Sequence, residues 1–220
     1  MNKTSWKPQK PPYRRYKAKE LGDLITNGQF VFQIGESPAL RMPSSQIDIG
    51  KLQTPEYKKK IAYVKKCMLA YRKTKKGRAI AAVQVGIPEH IIVVYTPERK
   101  EKLWTIVNPV ISKKSETLLR YPEMCMSCNG LIAYVIRPSW VEFAYLDEKG
   151  KQHIWNTKDT TKRGKMYNRV LQHEIDHLHG IINIDLVLSK ELIFISDPHF
   201  YEKADFQKVH PGFAKASSGK

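Results

Sequence analysis

Residues 161–180 constrain this chain more than any other stretch. Thr161 suits a helix start and Gly180 a stop. Between them Met166, Val170, His173 and His177 recur at i, i+4, i+7 and i+11, which places them on one stripe of an α-helix. Leu171, Ile175 and Leu178 cover its other sides, so the spacing predicts a helix buried nearly all round. On that helix lies Gln172-His173-Glu174-Ile175-Asp176-His177. Residues four apart stack on one face, so His173 and His177 point two imidazoles at one ion. Glu174 sits one step round the helix, within reach of a water at that ion. A carboxylate buried between two imidazoles needs a compensating cation, because unpaired burial is costly. Asp176 is placed to orient a neighbouring group. Other elements must wrap such a helix.

Two histidines leave a metal site incomplete, since catalytic sites commonly take three protein ligands plus water. The metallopeptidase continuation would put a third histidine at position 183, which is Asn183. Glu191 downstream and Cys125 upstream are the candidate suppliers. Cys125 and Cys128 form one C-x-x-C half-site. A second pair is missing, because the only other cysteine is Cys67, so a structural zinc held by four cysteines is excluded. Three cysteines also argue against a disulfide framework and for a reducing, cytoplasmic interior, with an organelle matrix as the second choice.

The rest of the pattern reads as α+β: antiparallel strands packed around the central H-E-x-D-H helix. Thr54 as N-cap and Pro55 in the first turn open a first helix, with Tyr57, Ile61, Val64, Met68 and Tyr71 at helical spacing and Gly77 as its stop. Strand-length apolar runs follow at 90–95, 103–110, 131–137 and 140–146. Residues 147–150 read as a hairpin turn, with 151–155 as the return strand. Clustered strands with two main helices, rather than regular alternation, give the class. Residues 1–50 read as a basic arm and extended segment, 51–187 as the catalytic domain, and 188–220 as a polar basic extension. The 220 residues are enough for one core domain plus tails, and 41% hydrophobic content excludes global disorder. No apolar run reaches the ~18 residues needed to span a bilayer, and the first 20 residues lack the apolar core of a secretory signal.

Three motifs in order resemble the peptide deformylase family. The first is Gly77-Arg78-Ala79-Ile80-Ala81-Ala82-Val83-Gln84, the second Glu123-Met124-Cys125-Met126-Ser127, and the third residues 172–177. Asn108-Pro109 lies between the first two. The resemblance covers roughly residues 55–187. It implies Cys125, His173 and His177 as ligands of one divalent metal, Fe2+ first and Zn2+ or another divalent ion as substitute. It implies Glu174 as general base, and the Gln84 amide with the Met126 backbone N–H as donors to the formyl oxygen. Glu123 would pair with Arg137 and hold the Cys125 loop, and Cys128 would be structural. The substrate pocket would fall to Ala79, Ile80, Met124, Ile132, Met166, Arg169 and Val170. The implied reaction cleaves a formamide C–N bond, removing the N-formyl group from the N-terminal methionine of nascent polypeptides and releasing formate.

Departures from the family pattern fall on substrate-facing positions. Ala79 and Met124 replace glycines, Arg169 stands where the family is usually apolar, and Ile132 where many members carry arginine. The alternatives are a related amide hydrolase or H-E-x-x-H metallopeptidase with shifted substrate, and a non-catalytic ribosome- or RNA-binding relative. The net charge of +17 points to a polyanionic neighbour. It concentrates in the N-terminal arm and on the first helix, where Lys58, Lys59, Lys60, Lys65 and Lys66 read as an outer face without intrahelical ion pairs. N-formyl nascent peptides and a ribosome surface are the expected partners; sequence-specific nucleic acid and membrane are not.

Overall fold

The structure, a computed structural model, describes residues 31–73, 77–98, 102–194 and 204–209. The arm expected over residues 1–20 lies outside them. The described elements are two α-helices, α1 (Pro55–Arg72) and α2 (Lys162–Leu178), nine strands and several short 3-10 turns. Strands β1 (Ala79–Ala81), β2 (Ile91–Tyr95), β3 (Leu103–Lys114), β6 (Val141–Leu146) and β7 (Gln152–Trp155) form one sheet in the order β1-β2-β3-β6-β7. Strands β4 (Leu118–Met124), β5 (Leu131–Pro138), β8 (Leu192–Phe194) and β9 (Gln207–Val209) form a second, ordered β8-β5-β4-β9. Every pairing within both sheets is antiparallel. No described helix is long and apolar enough to cross a membrane.

The unbroken apolar run of β2 shows why the first sheet is covered on both sides. Successive strand residues face opposite ways. Ile91 and Val93 pack with Ile61, Val64, Met68 and Tyr71 of α1. Ile92 and Val94 pack with Tyr167, Leu171, Ile175 and Leu178 of α2. Val64 and Met68 are fully buried, and such side chains each contribute about 1.5–3 kcal/mol. Helix α2 also touches β5 of the second sheet, so the metal-site helix lies between the two sheets.

Helix α2 begins and ends within one residue of its expected bounds. The Thr161 hydroxyl accepts from the Gly164 N–H at 3.1 Å, closing one of the free donors of the first turn. Gly180 follows with φ +75°, and a Cβ there would lie 2.7 Å from the Arg41 backbone, so the helix exit is open only to glycine. Helix α1 differs from expectation. It ends at Arg72, with Lys73 as C-cap, five residues before Gly77. Thr54 precedes it but makes no side-chain cap; its hydroxyl donates instead to the Lys51 carbonyl.

The lysine face of α1 is also corrected. Lys60 is buried and bonds Glu89 at 2.7 Å and Glu56, one turn back, at 2.9 Å. Lys65 pairs with Glu148. Lys58, Lys59 and Lys66 remain exposed.

Strand β4 is absent from the expected pattern, although it carries half of the site. Its interior Pro122 reads as a strand breaker. Proline is tolerated where a strand has no ladder partner on its N–H side. β9 pairs only with Leu118–Arg120, which leaves Pro122 beyond its reach. The expected strands 131–137 and 140–146 are observed as β5 and β6, but in different sheets, so Pro138 and Ser139 mark a crossing from one sheet to the other.

Candidate metal centre

Three elements converge on the site. Helix α2 brings His173, Glu174 and His177; the turn after β4 brings Cys125; the 3-10 turn after β1 brings Gln84. Donor atoms of Cys125, His173 and His177 lie within 4.8 Å of one another, and all three residues are buried. Cys125 Sγ is 3.2 Å from His177 Nε2. His173 Nδ1 is 3.0 Å from Glu123 Oε2, so that nitrogen donates to the carboxylate and Nε2 is left for an ion. This carboxylate–imidazole arrangement fixes both ring and tautomer in metal sites. One thiolate and two imidazoles are donors suited to Zn2+ or Fe2+. The residues therefore fit a divalent metal.

The electrostatics agree. Burial alone would raise the Cys125 thiol, but the hydrogen bond from Cys128 and the adjacent His177 and His173 outweigh it and hold it well below the thiol range. Burial would lower His173; its bonds to Cys125 and Glu123 reverse this and push it well above the imidazole range. For Glu174, burial raises the carboxyl above its ordinary range against the opposing pull of His173 and His177. Its Oε2 is buried with no hydrogen-bond partner, an acceptor aimed at something other than protein. The hydrogen bond to Cys125 and burial push the Cys128 thiol far up, so Cys128 sits beside the site as a neutral donor.

Glu123 organises a buried network behind the ligands. Arg137 bonds it through Nε at 2.7 Å and Nη2 at 3.0 Å, and reaches Asp176 through Nη1 at 2.6 Å. Arg169 bonds Glu123 Oε1 at 2.6 Å and the carbonyls of Val135 and Leu119 at 3.0 and 2.5 Å. The Asn183 amide donates to the Glu123 carbonyl at 3.0 Å. Asn183 thus anchors the end of β4. Glu191 accepts from the Leu188 N–H and is not part of the donor cluster.

Gln84 is buried; its side-chain Oε1 accepts from the Ala81 N–H at 2.9 Å and its side-chain Nε2 reaches Ser127 Oγ at 3.1 Å and Cys125 Sγ at 3.7 Å. Two residues without a sequence signal strap this region. The Phe32 N–H donates to the Gln84 carbonyl at 2.7 Å, and Gln33 donates to the Met126 carbonyl at 2.9 Å. Both bind main-chain carbonyls, Phe32 through its backbone N–H and Gln33 through its side-chain amide, contacts that no motif records.

A cavity of about 360 Å3 opens on the site. Gln84, Met126, His173 and Glu174 line it, together with Ala79, Met124, Met166, Arg169 and Val170. Tyr121 and Arg72 line it as well, without having stood out in the sequence. Ile80 and Ile132 do not. Ile80 lies between Ala79 and Ala81 on β1, so it faces the other side of the sheet and packs under α1. Ile132 is fully buried on an inner strand between Met124 of β4 and Ile193 of β8. Gly77 closes one wall: at φ +66°, a Cβ on it would stand 2.9 Å from Met126 Sδ.

A family model described as Polypeptide deformylase matches residues 31–192. The chain belongs to the peptide deformylase family. The match starts well before residue 51, in keeping with the strap that Phe32 and Gln33 form over the site. A peptide deformylase of Prochlorococcus marinus is 33% identical over 163 residues, covering 73% of this chain and 74% of that protein. Among solved structures, a probable peptide deformylase from Synechococcus phage S-SSM7 is 30% identical, with a TM-score of 0.58, covering 71% of this chain and 97% of that one. The peptide deformylase of Synechococcus elongatus, solved with actinonin, is 26% identical with a TM-score of 0.60, covering 73% of this chain and 80% of that one. The activity is that of a peptide deformylase, a hydrolase that removes the N-formyl group from nascent polypeptides.

Proposed function

We propose that Cys125, His173 and His177 hold one divalent cation, Fe2+ with Zn2+ as the substitute, and that Glu174 is the general base for removal of the formyl group from an N-terminal methionine. The observation that carries this is the buried, unpartnered Glu174 Oε2 beside three converging donors. A divalent cation supplies Lewis acidity, polarising a carbonyl oxygen and lowering the pKa of water. Glu174 takes the proton from the attacking water, which adds to the formyl carbon. As the C–N bond breaks, the same carboxyl returns the proton to the departing amine, leaving formate and a free N-terminus. The Gln84 amide and the Met126 N–H donate to the oxygen on which charge develops. One such donor is typically worth ~3–4 kcal/mol of barrier. Met166, Val170 and Met124 offer the methionine side chain an apolar wall in the cavity. The test is whether formate release from a formyl-methionyl peptide tracks one bound divalent ion.

The exposed Lys58, Lys59 and Lys66 support a further reading of the same chain: docking to the RNA-rich surface of a ribosome. Lys58→Glu/Lys59→Glu/Lys66→Glu is expected to weaken co-sedimentation with ribosomes in a salt-dependent way, with formate release from a short peptide unchanged. Equal loss of both would overturn it.

A further inference from the structure

Beside the catalytic cavity lies a second one, of about 640 Å3. Arg78 and Met166 line both, so the two adjoin. Lys162, Arg163, Glu98 and Tyr167 complete the polar lining of the second. Three of these groups are cations and one is a carboxylate. Glu98 is already engaged: it bonds Arg163 Nη2 at 2.8 Å and accepts from the Tyr167 hydroxyl. Arg78 lies over the Tyr167 ring, 5.6 Å from its centroid, and donates to the same hydroxyl at 3.4 Å. Lys162 donates to the Ala204 carbonyl at 3.2 Å. Neither Arg78 nor Lys162 pairs with a carboxylate among the described residues. Among the described residues its lining therefore holds three cations against one carboxylate, beside the catalytic cavity.

We propose that this compartment receives the nascent chain beyond its first residues and selects for an acidic side chain there. The inference rests on the deformylase reading of the first cavity and adds a substrate preference to it. The helix supplies the ruler. Arg163 stands eleven residues before Glu174 on α2, about 16 Å along the axis at 1.5 Å per residue. An extended chain covers about 3.4 Å per residue. A polypeptide whose formyl group meets Glu174 and which leaves past Met166 brings its third to fifth residues to Arg78, Lys162 and Arg163. Aspartate or glutamate there meets Arg78 and Lys162, which have no carboxylate partner among the described residues, beside the Arg163–Glu98 pair, while lysine or arginine meets like charge.

The test is a set of formyl-methionyl hexapeptides identical except for alanine, aspartate or lysine at positions three to five, with formate release read as kcat/KM at low ionic strength. The aspartate peptide is expected to exceed the alanine peptide by roughly fivefold, the size a few partly exposed ion pairs supply, and the lysine peptide to fall below it. The aspartate-to-alanine ratio should collapse toward one in about 0.5 M salt, where screening is nearly complete over such distances. Lys162→Gln/Arg163→Gln should collapse it at low salt. The wild-type ratio and its salt response decide the matter whether or not that variant folds. Equal kcat/KM across the three peptides overturns the inference and leaves the deformylase reading standing. No formate from any of them overturns both.

Discussion

Glu174→Gln is expected to lower kcat for formate release by about 10²–10⁴-fold, the usual worth of a positioned general base. Glutamine keeps the size and packing of the glutamate but has no basic oxygen to take a proton. Because Glu174 is not one of the three clustered donors, the metal content of the variant should equal that of the wild type. Its thermal stability should not fall, since the carboxylate oxygen it replaces is buried without a partner. Near-normal turnover would remove Glu174 from the chemistry. Loss of metal with loss of turnover would make it a ligand instead.

The second large effect is on stability. Glu123→Gln is expected to cost about 3–5 kcal/mol, the usual penalty for breaking a buried charge pair by removing one partner. Glu123 sits between two buried guanidiniums, Arg137 and Arg169, and also holds His173. Burial alone would raise its carboxyl, but Arg137, the His173 hydrogen bond and Arg169 hold it well below the carboxylate range. Its contribution is therefore complete at neutral pH and is lost as the pH falls through that depressed range. With a neutral side chain at 123, two cations stay buried with no anion between them, and His173 loses the acceptor that fixes its ring. Metal affinity should fall by about 10- to 100-fold as well. Chemical denaturation of metal-loaded protein checks the first effect and competition with a chelator the second. A stability loss under about 1 kcal/mol would show that the network is not held by Glu123.

Much of the site was legible because its largest part is local. Helical spacing alone put His173, Glu174 and His177 on one buried helix, and both ends of that helix carry the residues that cap it. Cys125 was different. Residue chemistry left it level with Glu191, and only the resemblance favoured it. Nothing in a sequence shows that the turn after β4 crosses to α2, a contact 52 positions away in the chain.

Arg169 was legible as a departure but not as a structure. It does line the cavity, yet its guanidinium is tied to Glu123 and to two strand carbonyls, partners supplied by β4 and β5. Strand β4 is hidden in the sequence because Pro122, Arg120 and Glu123 interrupt its apolar pattern, although it pairs along its length with the next strand, β5. Ile80 and Ile132 show the limit of carrying a motif over residue by residue. Strand parity turns the first away from the cavity and a neighbouring strand covers the second. The lysine face of α1 failed similarly: the acids that pair Lys60 and Lys65 include Glu89 and Glu148, from a loop and a hairpin turn that the helix pattern does not contain.

The most direct measurement is a titration of metal-free protein with Fe2+ under anaerobic conditions, reading formate release from a formyl-methionyl peptide at each addition. Activity should rise linearly from near zero and break at one equivalent per chain, with no such rise in Cys125→Ala. Formate release that is full before any metal is added, or that ignores the loss of Cys125, would contradict a three-residue metal centre as the seat of the reaction.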